Sequence, residues 1–272
     1  MSLANKNPSW LPMFLLLDRI YHVTVRGVRQ THGNALIAIF MNMFQSIMFV
    51  LAFYMMAFFV PYFGGGIRGD FMVYILSGVF LYMTHIKAMG AVAGADGPTS
   101  QMMQHAPMNT AVSICAAAMG ALYIQILSVA AILFVYHTVV TPVEIHDWFG
   151  CFAMMGLAWF TGVSLGIVVM ALKPWAPTTM NIVNNIYQRL NMVASGKMFV
   201  ANLMPSKTLI FFSWNPLFHA IDQMRGFAFL NYTPHNSWLM YPVYFGVGFL
   251  VLGMMIEFYT RKRASASWDA RH

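Results

Sequence analysis

The feature that most constrains this chain is a set of apolar runs, each long enough to cross a lipid bilayer. About 20 apolar residues span the hydrocarbon core as a helix. Five runs reach that length, namely 35–63, 71–89, 111–136, 149–172 and 238–259. Only 8% of the residues are charged, whereas soluble domains carry about 25%. The sequence therefore predicts an all-α integral membrane protein, and it excludes ordinary soluble, disordered and fibrous classes.

The segment 180–204 has the length of a sixth span but is unusually polar. Its polar side chains recur at helical steps and fall within about 80° of a helix circumference. They are Asn181, Asn184, Gln188, Asn191, Ser195 and Asn202, with Arg189 beside them. Unpaired polar groups are costly in hydrocarbon, so this face should point into the bundle or a water-filled path. We interpret these residues as the lining of a conduit, and hydrogen bonding between helices is the alternative.

The segment 207–230 holds two apolar halves, separated by Asn215-Pro216, and neither half is long enough to span. Proline excludes the preceding residue from helical geometry, so we predict a re-entrant helical hairpin at the external face. We expect this hairpin to act as an external gate, and a static packing hairpin is the alternative. The predicted gate residues are Asn215, Pro216, Leu217, Phe218, Ile221, Asp222 and Arg225. Asp222 and Arg225 should pair with each other, or across a dimer, at the turn-side surface.

The distribution of basic residues predicts the orientation. Six spans place both termini on one side, and that side carries ten basic residues against three on the other. The ten are Lys6, Arg19, Arg26, Arg29, Lys87, Lys173, Arg261, Lys262, Arg263 and Arg271, and the three are Arg68, Lys207 and Arg225. The positive-inside rule then puts both termini, including the tail 260–272, in the cytoplasm. Membrane orientation accounts for the net charge of +7, so nucleic acid is not a predicted partner.

Two further segments are predicted on the cytoplasmic face. Residues 8–23 form an apolar stretch with Arg19 and His22 near headgroup level, which indicates a helix lying in the interface. Residues 98–106 form a short helix bounded by prolines.

Several cations are candidates for contact with a substrate headgroup. Arg19, Arg26, Arg29 and Lys87 cluster near the cytoplasmic leaflet, where topology and attraction of anionic lipid are the alternative roles. Arg26, Arg29 and Lys87 are the predicted headgroup contacts. Arg189 differs, because a charge within a span needs a partner. We expect it to meet an anionic group of a lipid-linked substrate, such as a phosphate.

Motifs for chemistry are absent from the sequence. It contains no GxxxxGK[ST] loop for nucleotide phosphates and no HExxH. The eight acidic residues form no cluster. We therefore predict that the chain is not an enzyme, has no catalytic or metal-binding residues, and binds no cofactor of its own.

Four stretches together resemble one family. They are Asn215-Pro-Leu-Phe-His-Ala-Ile-Asp-Gln-Met-Arg-Gly-Phe-Ala-Phe with Asn231-Tyr-Thr-Pro, then Ser195-Gly196 followed by Met198-Phe199 and Met204-Pro205, then Met103-Gln-His-Ala-Pro-Met-Asn109, and Arg26-Gly-Val-Arg29-Gln-Thr-His-Gly33. In order and over nearly the whole chain, the sequence resembles the membrane subunit of ABC-2-type exporters. The resemblance is closest to permeases that export capsular polysaccharide and O-antigen.

The resemblance implies a permease that moves a lipid-linked capsular-type polysaccharide across a bacterial inner membrane. Two copies would pair and bind two ATP-hydrolysing subunits, which would hold the ATP and magnesium. Periplasmic or outer-membrane export components are further possible partners. The helix 98–106 would dock into the ATPase through Pro98, Thr99, Gln101, Met102, Met103, Gln104 and His105. The first and fifth spans would line the path, and the hairpin would gate it.

Other functions fit parts of the sequence. An ABC-2 exporter of a small lipid or drug would share the architecture. An integral-membrane transferase acting on lipid-linked sugars would need carboxylates or metal ligands near one membrane face, and the sequence offers no such cluster. A passive channel would explain the polar face of 180–204 but not the proline-bounded cytoplasmic helix.

Overall fold

The computed structural model describes residues 11–32, 35–59, 70–97 and 109–269, and this part of the chain contains helices and no strands. The helices are α1 (Leu11–His32), α2 (Ala35–Phe59), α3 (Phe71–Ala93), α4 (Thr110–Val139), α5 (Trp148–Leu172), α6 (Pro177–Ala194), α7 (Ser206–Ser213), α8 (Pro216–Ala228) and α9 (Met240–Asp269), with a short 3₁₀ helix at Ala201–Leu203. The predicted all-helical architecture is confirmed.

Four helices are long and apolar enough to cross a membrane: α3, α4, α5 and the Met240–Arg263 part of α9. Helix α2 has 25 residues and contains the apolar stretch Ile39–Ala52. Helix α6 has 18 residues, which is about 27 Å of helix, but it is more polar than the four. The chain is therefore a helical protein built to span a membrane, and the count of six spans stays a prediction.

Helices α3, α5 and α9 run parallel, with α5 in the middle. On one side of α5, Gly162 lies against His85 of α3, and Gly166 lies against Met89 four residues further along. A Cβ at Gly162 would overlap the backbone oxygen of His85, so only glycine permits this approach. Small residues let helix backbones pack closely within a membrane.

The other side of α5 packs against α9 in the same direction. Gly246 meets Phe160, and Gly253 meets Ile167. Two helices that run parallel need a connection that returns along the bundle. Helix α6 makes that return, because it runs antiparallel to α3 and continues into the turn where Lys197 packs against Gly78.

The bundle has two distinct ends. At the end that we call the hairpin end, the Tyr136 hydroxyl donates to Asp70 Oδ2 at 2.6 Å, and Asp147 N donates to the Phe227 carbonyl at 2.9 Å. Helices α7 and α8 lie at this end. At the opposite, basic end, Lys173 Nζ donates to the Ala93 carbonyl at 3.3 Å. The two ends therefore lie across the length of the bundle from each other.

Several helices extend beyond their predicted bounds. Helix α1 runs to His32, not to residue 23, and α9 runs to Asp269, not to residue 259. Hydropathy ends a predicted span where charges begin, whereas backbone hydrogen bonding continues through residues of good helix propensity. The predicted helix 98–106 lies outside the described residues, as does the end of the predicted span 35–63.

Candidate functional site

The predicted fifth span is not one helix. Helix α6 ends at Ala194, and Gly196 takes a left-handed conformation with φ of 67°. Such a residue stops a helix, and glycine adopts it without a Cβ penalty. The carbonyls of Lys197 and Phe199 then accept hydrogen bonds from Arg225 at 2.6 Å each. The prediction of a continuous span 180–204 is therefore wrong, because a partner from α8 satisfies the backbone beyond the turn.

The predicted conduit residues do not share one environment. Asn191 and Ser195 are buried, Asn184 and Gln188 are partly buried, and Asn181 and Arg189 are exposed. Asn202 lies beyond the helix, in the 3₁₀ turn, where its Nδ2 donates to the Thr233 carbonyl at 2.8 Å. The polar face of α6 therefore divides. Asn191 and Ser195 pack inside the chain, whereas Asn181 and Arg189 face outward.

The outward side of α6 combines apolar and polar strips. Ile182, Ile186 and Leu190 are each more than half exposed. Asn181 and Arg189 are exposed on the same helix. Within the described part of the chain, nothing covers this side, so it is available to lipid or to another subunit.

Asn215 joins α6 to the hairpin. Its Nδ2 donates to Asn191 Oδ1 at 2.7 Å and to the Ala194 carbonyl at 2.9 Å. Its Oδ1 accepts from Leu217 N at 3.0 Å, which caps the N-terminus of α8. One buried side chain therefore ends α6, begins α8 and links both.

A second buried connection holds α6 against the bundle. His85 Nδ1 lies 3.2 Å from the Ala158 carbonyl and 3.1 Å from Thr161 Oγ1. Because a carbonyl can only accept, we assign the ring proton to Nδ1. His85 Nε2 then accepts from the Tyr187 hydroxyl at 3.0 Å. This histidine therefore bridges α3, α5 and α6.

Sequence reasoning missed the role of His85, because isolated histidines are usually packing residues. Its partners lie 73 to 102 residues away in the chain. The only available signal was a histidine inside a predicted span. The buried Lys197 carried a similar signal, as a charge within the predicted span 180–204.

Lys197 lies among aromatic rings. Its side chain is 3% exposed, and Nζ lies 3.2 Å from the Tyr82 ring centroid and 4.9 Å from that of Phe49. Aromatic faces attract cations, and the attraction strengthens where water is excluded. The structure therefore places a second basic side chain close to the turn that Arg225 binds.

The gate residues of α8 pack within their own chain. Leu217 and Ile221 belong to the main buried cluster together with residues of α3 and α5, and Phe218 packs with Phe212 of α7. Helix α7 is different, because Ile210 and Phe211 are largely exposed. In this state the apolar face of α8 forms core, and α7 presents the exposed apolar surface of the hairpin.

The prediction that Asp222 and Arg225 pair at the surface is wrong. Each is 1% exposed. Arg225 lies over the Tyr74 ring, with Cζ 4.1 Å from the centroid, and uses its Nη donors on backbone carbonyls. Asp222 accepts from the Tyr232 hydroxyl. The i, i+3 spacing permits an ion pair, but these partners from other segments already engage both side chains.

Tyr232 follows α8 and lies outside the spanning helices. Burial raises the pKa of its hydroxyl, and the Asp222 carboxylate raises that pKa further. The phenol therefore stays protonated and remains the donor in this hydrogen bond. The bond fixes the chain after α8 against the helix itself.

The remaining predicted residues lie elsewhere. Arg26 is exposed on α1, and Lys87 is partly buried on α3. The side chain of Arg29 lies outside the described residues. So do the predicted coupling residues Pro98, Thr99, Gln101, Met102, Met103, Gln104 and His105.

Comparison with protein-family models and with curated proteins finds no match to this chain.

Proposed function

We propose that this chain is the membrane permease subunit of an ATP-driven exporter for a lipid-linked capsular-type polysaccharide. In this proposal it works in a bacterial inner membrane, with six spans and both termini in the cytoplasm. It acts as a homodimer with two ATP-binding subunits, and it performs no chemistry itself.

The observation that carries the proposal is the Asn215 junction. A helix with a polar face is joined directly to a broken hairpin by the 2.7 Å bond between Asn215 and Asn191. Movement of α6 would therefore reach the hairpin without an intervening element. This is the connection that a gated conduit needs.

The surfaces of the chain support a dimer. The outward side of α6 carries Ile182, Ile186 and Leu190 beside Arg189. A charge on a lipid-facing helix is costly unless it meets a partner or water. A second copy opposite α6 would enclose Asn181 and Arg189 in a shared interior, where a phosphate of the substrate could reach them.

The length of α6 supports a sixth span. It returns the chain between the parallel helices α5 and α9, and about 27 Å of helix nearly matches a hydrocarbon core of about 30 Å. Its contacts with His85 and Asn215 supply the partners that its inward polar groups need.

Transport after reconstitution tests the proposal. The full chain, purified from its native membrane, should bring an ATPase with it, and that complex should move a lipid-linked glycan in proteoliposomes only with ATP. Arg189→Gln should lower transport at least several-fold. Lys207→Gln, which removes an equal charge from the exposed start of α7, should not.

Three outcomes would overturn the proposal. They are absence of a copurifying ATPase, ATP-independent passage, and sugar transfer by the chain alone. The last outcome would identify a transferase. ATP-dependent movement of a small lipid or drug, without movement of the glycan, would identify the runner-up exporter.

A crosslink tests whether the hairpin moves. In a Cys115→Ala background, Met224→Cys places a thiol on α8 beside the native Cys151 of α5, whose Sγ lies 3.9 Å from the Met224 carbonyl, so a disulfide there ties the hairpin to the bundle. Oxidation should block transport, and reduction should restore it to the level of the two single-cysteine variants. Full transport with the crosslink intact would make the hairpin a scaffold.

A further inference from the structure

We propose that the basic end carries a binding site for the phosphate group of an anionic lipid, centred on Arg263. The site is formed where α9 passes the end of α5. It would exist whether or not the chain transports a glycan, so it does not depend on the export activity.

Two aromatic rings form the base of the site. Trp175 and Tyr259 stack with centroids 5.9 Å apart and planes 7° from parallel. Trp175 Nε1 donates to Thr260 Oγ1 at 2.9 Å, and Thr260 Oγ1 donates to the Ala171 carbonyl at 3.1 Å. These bonds fix the stack to both helices, although each ring is about half exposed.

Arg263 lies on this stack. Its Cζ is 4.9 Å from the Tyr259 centroid and 5.4 Å from the Trp175 centroid. The side chain is exposed. Neither of the ion pairs found among the described residues includes it, whereas Arg261 lies 3.8 Å from Glu257. Arg263 is therefore a preoriented cation without a carboxylate partner in the described part of the chain.

The chemistry of a stacked guanidinium selects the ligand. A guanidinium held by its face keeps its N–H edge available, and that edge matches the two oxygens of a phosphate. Stacking also reduces the side-chain freedom that binding would otherwise remove. An arginine held in this way recognises an oxyanion better than a freely moving cation does.

The surrounding charge favours the same ligand. Lys173, Arg261 and Lys262 lie close to the stack in sequence, and Glu257 is the acidic residue beside them on α9. Together with Arg263, these cations outnumber the carboxylates described at this end, Glu257 on α9 and Asp96 after α3. Arrays of this kind at a membrane surface attract anionic lipids.

Two sources could supply the phosphate: a bilayer phospholipid or the pyrophosphate of a lipid-linked glycan. Native mass spectrometry of the full purified chain can separate them. The probes are dioleoyl phosphatidylglycerol, a polyprenyl pyrophosphate and, as the zwitterionic reference, dioleoyl phosphatidylcholine.

We expect Arg263→Gln to lower the apparent affinity for the anionic probes by about fivefold, the equivalent of one basic contact. The affinity of Arg263→Lys should lie between that of the parent chain and that of Arg263→Gln, because lysine keeps the charge but loses the planar fork. Lys207→Gln is the matched control, since it removes an exposed cation from the opposite, hairpin end, and it should leave retention unchanged.

The relative retention of the two anionic probes identifies the source of the phosphate. Stronger retention of polyprenyl pyrophosphate than of phosphatidylglycerol would identify a substrate site, and equal or weaker retention would identify a site for bilayer lipid. Unchanged affinity in Arg263→Gln, with an unchanged melting temperature, would overturn the proposal. An equal loss in Lys207→Gln would also overturn it, because diffuse charge would then explain the binding.

Discussion

Two arginines at opposite ends of the bundle show how the same contact serves different purposes. At the hairpin end, Arg225 lies over Tyr74, is 1% exposed, and binds two carbonyls. At the basic end, Arg263 lies over Trp175 and Tyr259 but is exposed. Both cations therefore have aromatic support, and only one has its donors engaged by the protein.

The difference separates stability from recognition. When either a buried cation or its partner is removed, the group that remains is an unpaired polar group, and water does not reach it to replace the lost contact. Substitution of an exposed cation lowers the free energy of unfolding only slightly, because water replaces the contacts of that side chain. The hairpin end should therefore tolerate substitution poorly, and the basic end should tolerate it well.

The largest expected effect is at Arg225. Arg225→Met keeps much of the side-chain volume but leaves the buried carbonyls of Lys197 and Phe199 without their hydrogen-bond donors. We expect the free energy of unfolding to fall by about 3–5 kcal/mol. Thermal unfolding in detergent, followed by size-exclusion chromatography, measures this change. A loss below about 1 kcal/mol would show that the two ends do not differ.

The next effect is at Asn215, where the hairpin meets α6. Asn215→Ala removes two donated hydrogen bonds and the cap of α8, so we expect a loss of about 2–3 kcal/mol. Asn215→Ser retains a capping oxygen and should recover about 1 kcal/mol of this loss. Equal unfolding temperatures for the two variants would contradict a capping role.

A smaller effect is expected at Tyr187, which ties α6 to the bundle. Tyr187→Phe removes only the hydroxyl that donates to His85, and we expect a loss of about 1–2 kcal/mol. Tyr123→Phe is the matched control on the exposed surface of α4 and should stay within about 0.5 kcal/mol of the parent. Equal losses of stability in both variants would show that the hydrogen bond between Tyr187 and His85 does not hold α6 against α3.

The smallest effect on stability is expected at Arg263. Arg263→Gln should change the free energy of unfolding by less than about 0.5 kcal/mol, measured in the same assay as Arg225→Met. A loss comparable to that of Arg225→Met would mean that the stack at the basic end stabilises the bundle.

The parts of the fold that depend on neighbouring residues could be predicted from the sequence. Asn215 precedes a proline and is a good helix cap, so the break between α7 and α8 follows from two adjacent residues. The polar face of α6 follows from the helical period. The long apolar helices follow from composition alone.

The parts that depend on distant residues could not be predicted. The end of α6 at Ala194 needs Gly196 to pack against Phe218, which is 22 positions later in the sequence. The burial of Asp222 and Arg225 depends on Tyr232 and on the carbonyls beyond α6. Periodicity shows which face of a helix is polar, but it does not show which segment supplies the partners.

The partners of α6 also bear on how the protein is synthesised. His85 is made before α6, whereas Asn215 is made after it and is separated from Asn191 by 24 residues. At roughly 5–20 residues per second, the ribosome needs about 1–5 s to supply them. During that interval Asn191 has no Asn215 in the chain to bind. Until residue 215 is made, the contact with His85 is the buried connection available to α6, so we expect shorter chains to hold this helix less firmly.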